Sequence, residues 1–224
     1  MLGLVGESGS GKSTLMKHLI GLRRPKTGRI EIGGEDLVSA AGDARRAILA
    51  RIGVMYQMGA LFGSMTLLEN VRLPLEEFTA LPPEAVARIA ALKLSLVGLG
   101  EATELLPSEI SGGMQKRAAI ARAMALDPGI LFLDEPSAGL DPVTAASLDA
   151  LILDLADSLD ITFVIVTHEL SSIFAIIDRV IMLDGETKTV IAEGDPRRLR
   201  DHTEHPKVKR FFNRPAAQQR AAAR

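Results

Sequence analysis

No cysteine occurs among the 224 residues. Disulfides and thiolate metal sites are therefore excluded, a reducing compartment is the natural setting, and structural zinc is not expected. Long hydrophobic runs are also missing. No stretch nears the roughly 20 apolar residues that span a bilayer, and the opening Met1-Leu2-Gly3-Leu4-Val5 carries no basic leader or cleavage site. The chain thus reads as unexported, reaching a membrane only by docking onto another subunit. Nor does one sign of charge dominate. Lysine and arginine number 26 and aspartate and glutamate 28, a net charge of −2, with pI near 6.1. General attraction to nucleic acid is not expected, and any anion must be held by local geometry. No internal repeat is visible, and the length suits one well-cored domain with a smaller lobe. A mean hydropathy of +0.19 permits a docking surface.

Three short apolar runs, at 2–5, 130–133 and 161–166, each end in polar residues, as buried parallel strands do when their ends face a ligand. Helical patterns lie between them at 13–22, at 111–126 stopped by Asp127-Pro128, and at 144–159. The alternation predicts an α/β fold with helices on the faces of a sheet. From about Gly59 to Pro107 the texture changes. Val86, Ile89, Leu92 and Leu96 recur at helical spacing between Pro82-Pro83 and Gly98, which predicts an inserted helical lobe. Residues 181–185 read as a strand and turn, and 191–194 as a further apolar segment before a helical tail. We expect a core sheet from 1–58 and 127–194, a helical subdomain over 59–126, and a tail over 195–224. From Asn213 onward core-forming side chains are almost absent, so fraying is expected.

The run Gly6-Glu7-Ser8-Gly9-Ser10-Gly11-Lys12-Ser13 fits G-x-x-x-x-G-K-[ST], placed after a strand and before a helix as that pattern requires. Its glycines let backbone N–H groups turn toward phosphate oxygens, the helix N-terminus favours an anion, and Lys12 reaches the terminal phosphates. Ser13 is a candidate magnesium ligand, with Thr14 beside it in the first helical turn. Chance would produce such a run in roughly 1% of chains this long, and the strand-to-helix context lowers that further. A second strand ends in Asp134-Glu135, two carboxylates where open α/β sheets bind ligands. Asp134 would organise Mg²⁺ through its water shell and Glu135 would act as general base on water. Standing alone they would read as two solvated acids. His168, at the exit of 161–166, can be structural or can hydrogen-bond a terminal phosphate as a neutral imidazole; the pattern leaves both open. Ser111-Gly112-Gly113 opens a helix that Ser111 can cap, with glycines exposing its first amides to an anion. An ordinary cap after a turn has the same pattern.

The phosphate loop, Gln57 in Met55-Tyr56-Gln57, Ser111-Gly112-Gly113, Asp134-Glu135, Ser137-Ala138-Gly139-Leu140-Asp141 and His168 occur in an order that resembles the ABC transporter ATPase family. The resemblance covers nearly the whole chain. It implies an ABC-type P-loop ATPase core with an inserted helical subdomain, ATP and Mg²⁺ as cofactors, and a head-to-tail homodimer sandwiching two nucleotides. By it, Gly6, Ser8, Gly9, Ser10, Gly11, Lys12, Ser13 and Thr14 hold phosphate, and Ser13, Gln57 and Asp134 serve the metal. Glu135, His168 and Gln57 act in catalysis, and Ser111, Gly112, Gly113 and Asp141 come from the other copy. Gln57 would also link the metal to a membrane permease, with the ATPase peripheral on the cytoplasmic face of the inner membrane. Closer still is the resemblance to ATPases of Mla/Mce-type phospholipid transporters, carried by Gly59-Ala60-Leu61-Phe62, Ser64-Met65-Thr66, Glu69-Asn70-Val71, Ser111 to Arg117 and Asp134 to Pro142. It implies phospholipid cargo and an Mce-type lipid-binding subunit as a further partner. The alternatives are a transporter ATPase for another solute and a non-transport ATPase of the same type. A nucleotide-gated binding module is a third, against which Glu135 argues. Met114 stands where the family usually has glutamine, and Gly63 where the nearer group has aspartate. The phosphate loop starts at Gly6, leaving no room before it for the family's first strands or its adenine-stacking aromatic, so the chain reads as shortened at its start.

Overall fold

The computed structural model describes residues 1–214; of the segment expected to fray, all but Asn213 and Arg214 lies outside the described residues. In chain order the elements are β1 (Leu2–Val5), α1 (Lys12–Leu19), β2 (Glu31–Ile32), β3 (Glu35–Asp36), α2 (Gly42–Leu49), β4 (Ile52–Met55), α3 (Leu67–Phe78), α4 (Pro83–Leu96) and α5 (Gly112–Ala123). There follow β5 (Ile130–Asp134), α6 (Pro142–Ser158), β6 (Thr162–Val166), α7 (Leu170–Ile176), β7 (Arg179–Leu183), β8 (Val190–Gly194), α8 (Pro196–His202) and α9 (Pro206–Phe212). The three apolar runs are β1, β5 and β6. Residues group into two compact units, 1–16 with 133 onward, and 17–132.

In the first unit β1 lies between two parallel partners, with Leu2 opposite Val164 of β6 and Arg179 of β7. β8 closes the edge antiparallel to β7, with Val180 opposite Gly194. A strand flanked and covered on both faces has no solvated side, which is why β1 and β6 are near-continuous apolar runs rather than alternating ones. Leu4, Val5, Phe163, Ile165 and Val166 are buried, each stabilising by roughly 1.5–3 kcal/mol relative to exposure. The end of β5 joins this sheet where Glu135 N–H donates to Val166 O at 2.8 Å. α6 starts on Asp141, whose Oδ1 accepts from Val143 and Thr144 N–H at 3.0 and 3.1 Å, with Pro142 preset for the first helical position. It buries Leu148, Ile152 and Leu155 at helical spacing.

In the second unit a two-residue Gly33-Gly34 turn, both glycines at positive φ, joins β2 to β3. Ile32, Leu37 and Ile48 form the core beneath it. On β4, a Cβ at Gly53 would fall 2.2 Å from Ala123 O and 2.4 Å from a Leu131 methyl, so only glycine lets the strand lie against the end of α5. α3 opens with a capping box: Glu69 N–H donates to Thr66 Oγ1 at 3.2 Å and Thr66 N–H to Glu69 Oε2 at 2.8 Å. The helix expected after Pro82-Pro83 is α4, and its buried face includes only part of the Val86, Ile89, Leu92 and Leu96 series. Val86, Ala90, Lys93 and Leu94 are buried, whereas Leu92 and Leu96 are 58% and 38% exposed. The small Ala90 lets α4 approach its neighbours closely, and Lys93 lays its stem along the packed face while its ammonium pairs with Asp127. Among the described residues no helix is long and apolar enough to cross a membrane.

Candidate functional site: a phosphate-binding loop at the strand ends

The segment between β1 and α1 must reverse within six residues, and three glycines with φ of 148°, 79° and 99° (Gly6, Gly9, Gly11) allow it. At Gly6 a side chain is excluded outright, since a Cβ would lie 2.5 Å from Leu183 O. Inside the loop the buried Lys12 ammonium donates to Gly6 O at 2.9 Å and Glu7 O at 3.1 Å. Burial lowers its pKa while Glu135 and Asp134 oppose that shift. Ser10 Oγ is buried and makes no hydrogen bond among the described residues. A neutral hydroxyl left without a partner in a loop bent by three positive-φ glycines suits an incoming oxyanion. Ser13 and Thr14 are exposed in the first turn of α1.

Asp134 ends β5 and Glu135 follows it at φ 48°, a conformation costing about 1–3 kcal/mol for a non-glycine residue. Beside it, His168 Nδ1 lies 2.7 Å from Glu135 Oε1. This hydrogen bond, working against burial, raises the histidine's pKa above its ordinary value. His168 Nε2 is buried with no hydrogen-bond partner among the described residues and lies 3.9 Å from Glu169 Oε1. The first unit therefore brings Lys12, Asp134, Glu135 and His168 within mutual electrostatic reach. Asp141 is exposed, and its carboxylate is taken up by the α6 cap and by the Thr144 hydroxyl, which lowers its pKa.

The remaining candidates lie in the second unit. Ser111 caps α5, accepting from Met114 N–H at 3.3 Å; Gly112 is exposed and Gly113 buried. Gln57 is exposed, and its carbonyl accepts from the Lys116 ammonium of α5. Farther along α5, Arg122 donates to Ala60 O at 2.6 Å and Gly59 O at 3.1 Å. Sequence reasoning missed the buried Asn70. Its Oδ1 accepts from Phe62 N–H at 2.8 Å and its Nδ2 donates to the carbonyls of Phe62, Met65 and Thr66 at 2.9–3.1 Å. An asparagine in an otherwise apolar helix stripe was the available signal.

A model of the family described as ABC transporter matches residues 1–138. The chain belongs to the ABC transporter family. Within it, the chain is 43% identical over 210 residues to a probable ribonucleotide transport ATP-binding protein, mkl, of Mycobacterium tuberculosis, covering 94% of this chain and 58% of that protein. To the intermembrane phospholipid transport system ATP-binding protein MlaF of Haemophilus influenzae it is 38% identical over 196 residues, 88% of this chain and 74% of MlaF. The fold resembles a dimeric, post-hydrolysis ATP-binding cassette, MJ0796, bound to ADP and Pi, with TM-score 0.77 and 31% identity over 87% of this chain and 84% of that one. The chain thus spans a little over half the length of the mkl relatives it matches.

Proposed function

We propose that this chain binds and hydrolyses ATP as the motor subunit of an ABC transporter, working as a homodimer beneath a permease. The observation that carries the reading is the Glu135–His168 pair at the strand ends beside Lys12. The loop amides, Ser10 Oγ and Lys12 would cradle the terminal phosphates; Lys12 needs only to leave two backbone carbonyls to reach them. His168, protonated on both ring nitrogens while Nδ1 donates to Glu135, would donate from Nε2 to the γ-phosphate, while Glu135 orients and deprotonates the attacking water. Ser13 and Asp134, oxygen donors suited to a hard divalent cation, would hold Mg²⁺, which would supply counter-charge to the phosphates when bound; Gln57 is added to that set by the family resemblance. In the dimer, exposed Ser111 and Gly112 at the start of α5 would cover the partner's nucleotide. Steady-state phosphate release tests this: Glu135→Gln keeps nucleotide binding and slows release by about 10²–10⁴-fold. Wild-type turnover in that variant would sink the assignment.

Phospholipid is the cargo we favour, on the likeness to MlaF and the motifs shared with Mla/Mce-type ATPases; the likeness to mkl supports another solute as the alternative. Permease docking is assigned to the second unit around Gln57, Leu61 and Phe62. Phe62 is 50% exposed, and a neighbouring cavity of about 560 Å³ is walled by Leu49, Tyr56, Pro74, Phe78 and Arg122. An Mce-type lipid-binding subunit would complete the assembly. Lipid analysis of the complex that co-purifies with the chain separates the two cargo readings.

A further inference from the structure

Three cations near the C-terminal end of the described chain are unused in the reaction above, yet each lands on an element of its site. α9 buries Val208, Phe211 and Phe212 and turns the other way Lys207, Arg210 and, just past its end, Arg214. Lys207 Nζ lies 2.7 Å from both Asp184 Oδ1 and Glu186 Oε2 in the β7–β8 turn. That turn supports the phosphate loop: a Cβ on Gly185 would sit 3.3 Å from Gly9 O and 3.4 Å from Ser10 Cα. Arg210 Nη2 reaches Glu7 Oε1, in the loop itself, at 2.8 Å. Arg214 Nη2 donates to the carbonyl of His168 at 3.1 Å.

Exposed ion pairs contribute little to stability, and the apolar side of α9 anchors it without them. Arg214 differs from a solvated arginine in being held. Its Nε donates to Phe211 O at 3.1 Å, and its guanidinium lies 4.4 Å from the centre of the Phe211 ring. A planar cation fixed by its own helix is a preorganised donor. Its target is the peptide that carries the imidazole on Glu135, and on the other side Glu169 N–H is tied to Thr167 Oγ1 at 3.1 Å.

We propose that α9 clasps the phosphate-binding site and that Arg214 is a positioning residue for His168, fixing the backbone from which the ring meets Glu135. This rests on the ATPase reading. A displacement of about 1 Å at a reacting group can cost up to about 100-fold in rate, so loosening the tether on the His168 carbonyl should be visible in turnover. The test compares the wild-type chain, Arg214→Met, which keeps an unbranched side chain and removes the charge and its donors, and Arg214→Lys, which keeps a cationic donor group. We expect R214M to lower kcat by roughly tenfold with KM for ATP and melting temperature unchanged, and R214K to recover part of the loss. Wild-type kcat in R214M while E135Q is slow overturns the clasp and leaves the ATPase reading standing. A lost melting transition, a change confined to KM, or R214K no faster than R214M likewise overturns it. Absence of phosphate release from the wild type removes both readings together.

Discussion

The strand ends of the first unit and the α5 region of the second use their polar side chains in opposite ways. Around the phosphate loop the charged candidate groups are taken up within the site, His168 on Glu135 and Lys12 folded back on its own loop. Around α5 the buried cation Lys116 and the arginine Arg122 hold loop carbonyls, at Gln57, Gly59 and Ala60, while Gln57, Gly112 and Phe62 face outward. The first region is organised to do chemistry on what enters it. The second holds its loop backbone in a fixed shape with these residues outermost.

That contrast can be broken at its outward side. If Leu61 and Phe62 are presentation surface, Leu61→Ser with Phe62→Ser should leave melting and nucleotide binding intact and abolish co-purification with the permease. Two anchor residues at about 2 kcal/mol each correspond to roughly a 10³-fold weaker association. Loss of folding would instead make them core, and undiminished association would remove this surface from the mechanism. A smaller effect belongs to the scaffold behind it. Asn70→Ala strips the loop at 62–66 of its internal partners and should destabilise by about 1–3 kcal/mol, read from urea unfolding, with faster amide exchange at Phe62. An unchanged unfolding midpoint would mean that water replaces Asn70 without loss.

The smallest effect sharpens the inward side. Because the folded protein raises the pKa of His168, its pairing with Glu135 contributes stability that is fully present below the ordinary histidine value near 6.5. That contribution fades as pH climbs through the folded value. Wild-type melting should therefore exceed that of Glu135→Gln most at low pH, with the gap closing from about pH 6.5 upward. A gap independent of pH would mean that the pair is a neutral hydrogen bond.

Much of this was legible in the sequence where function and local chemistry coincide. Gly6, Gly9 and Gly11 are needed for the loop's backbone as well as for phosphate, so the motif announces both. Asp134 and Glu135 end a strand whose apolar run fixes where the carboxylates emerge. The helical spacing at 86–96 is enough to predict α4, but not which of its residues pack inward: the buried set includes the small Ala90 and Lys93. Nothing local marks Arg214, since it acts on backbone far away in sequence, and a hydrogen bond to a carbonyl leaves no pattern of residue types; Asn70 shows only as a polar residue in an apolar stripe. The bond from Lys116 to the Gln57 carbonyl is hidden for the same reason.

The left-handed backbone at Glu135 has a consequence for how this site can vary. Glycine or asparagine would sit there with less strain, so the position is one where the fold and the chemistry ask for different residues. Replacement by either would remove the carboxylate. If Glu135 is the general base proposed above, a copy of this domain that no longer needs to turn over nucleotide gains backbone ease by giving up the acid while keeping the loop.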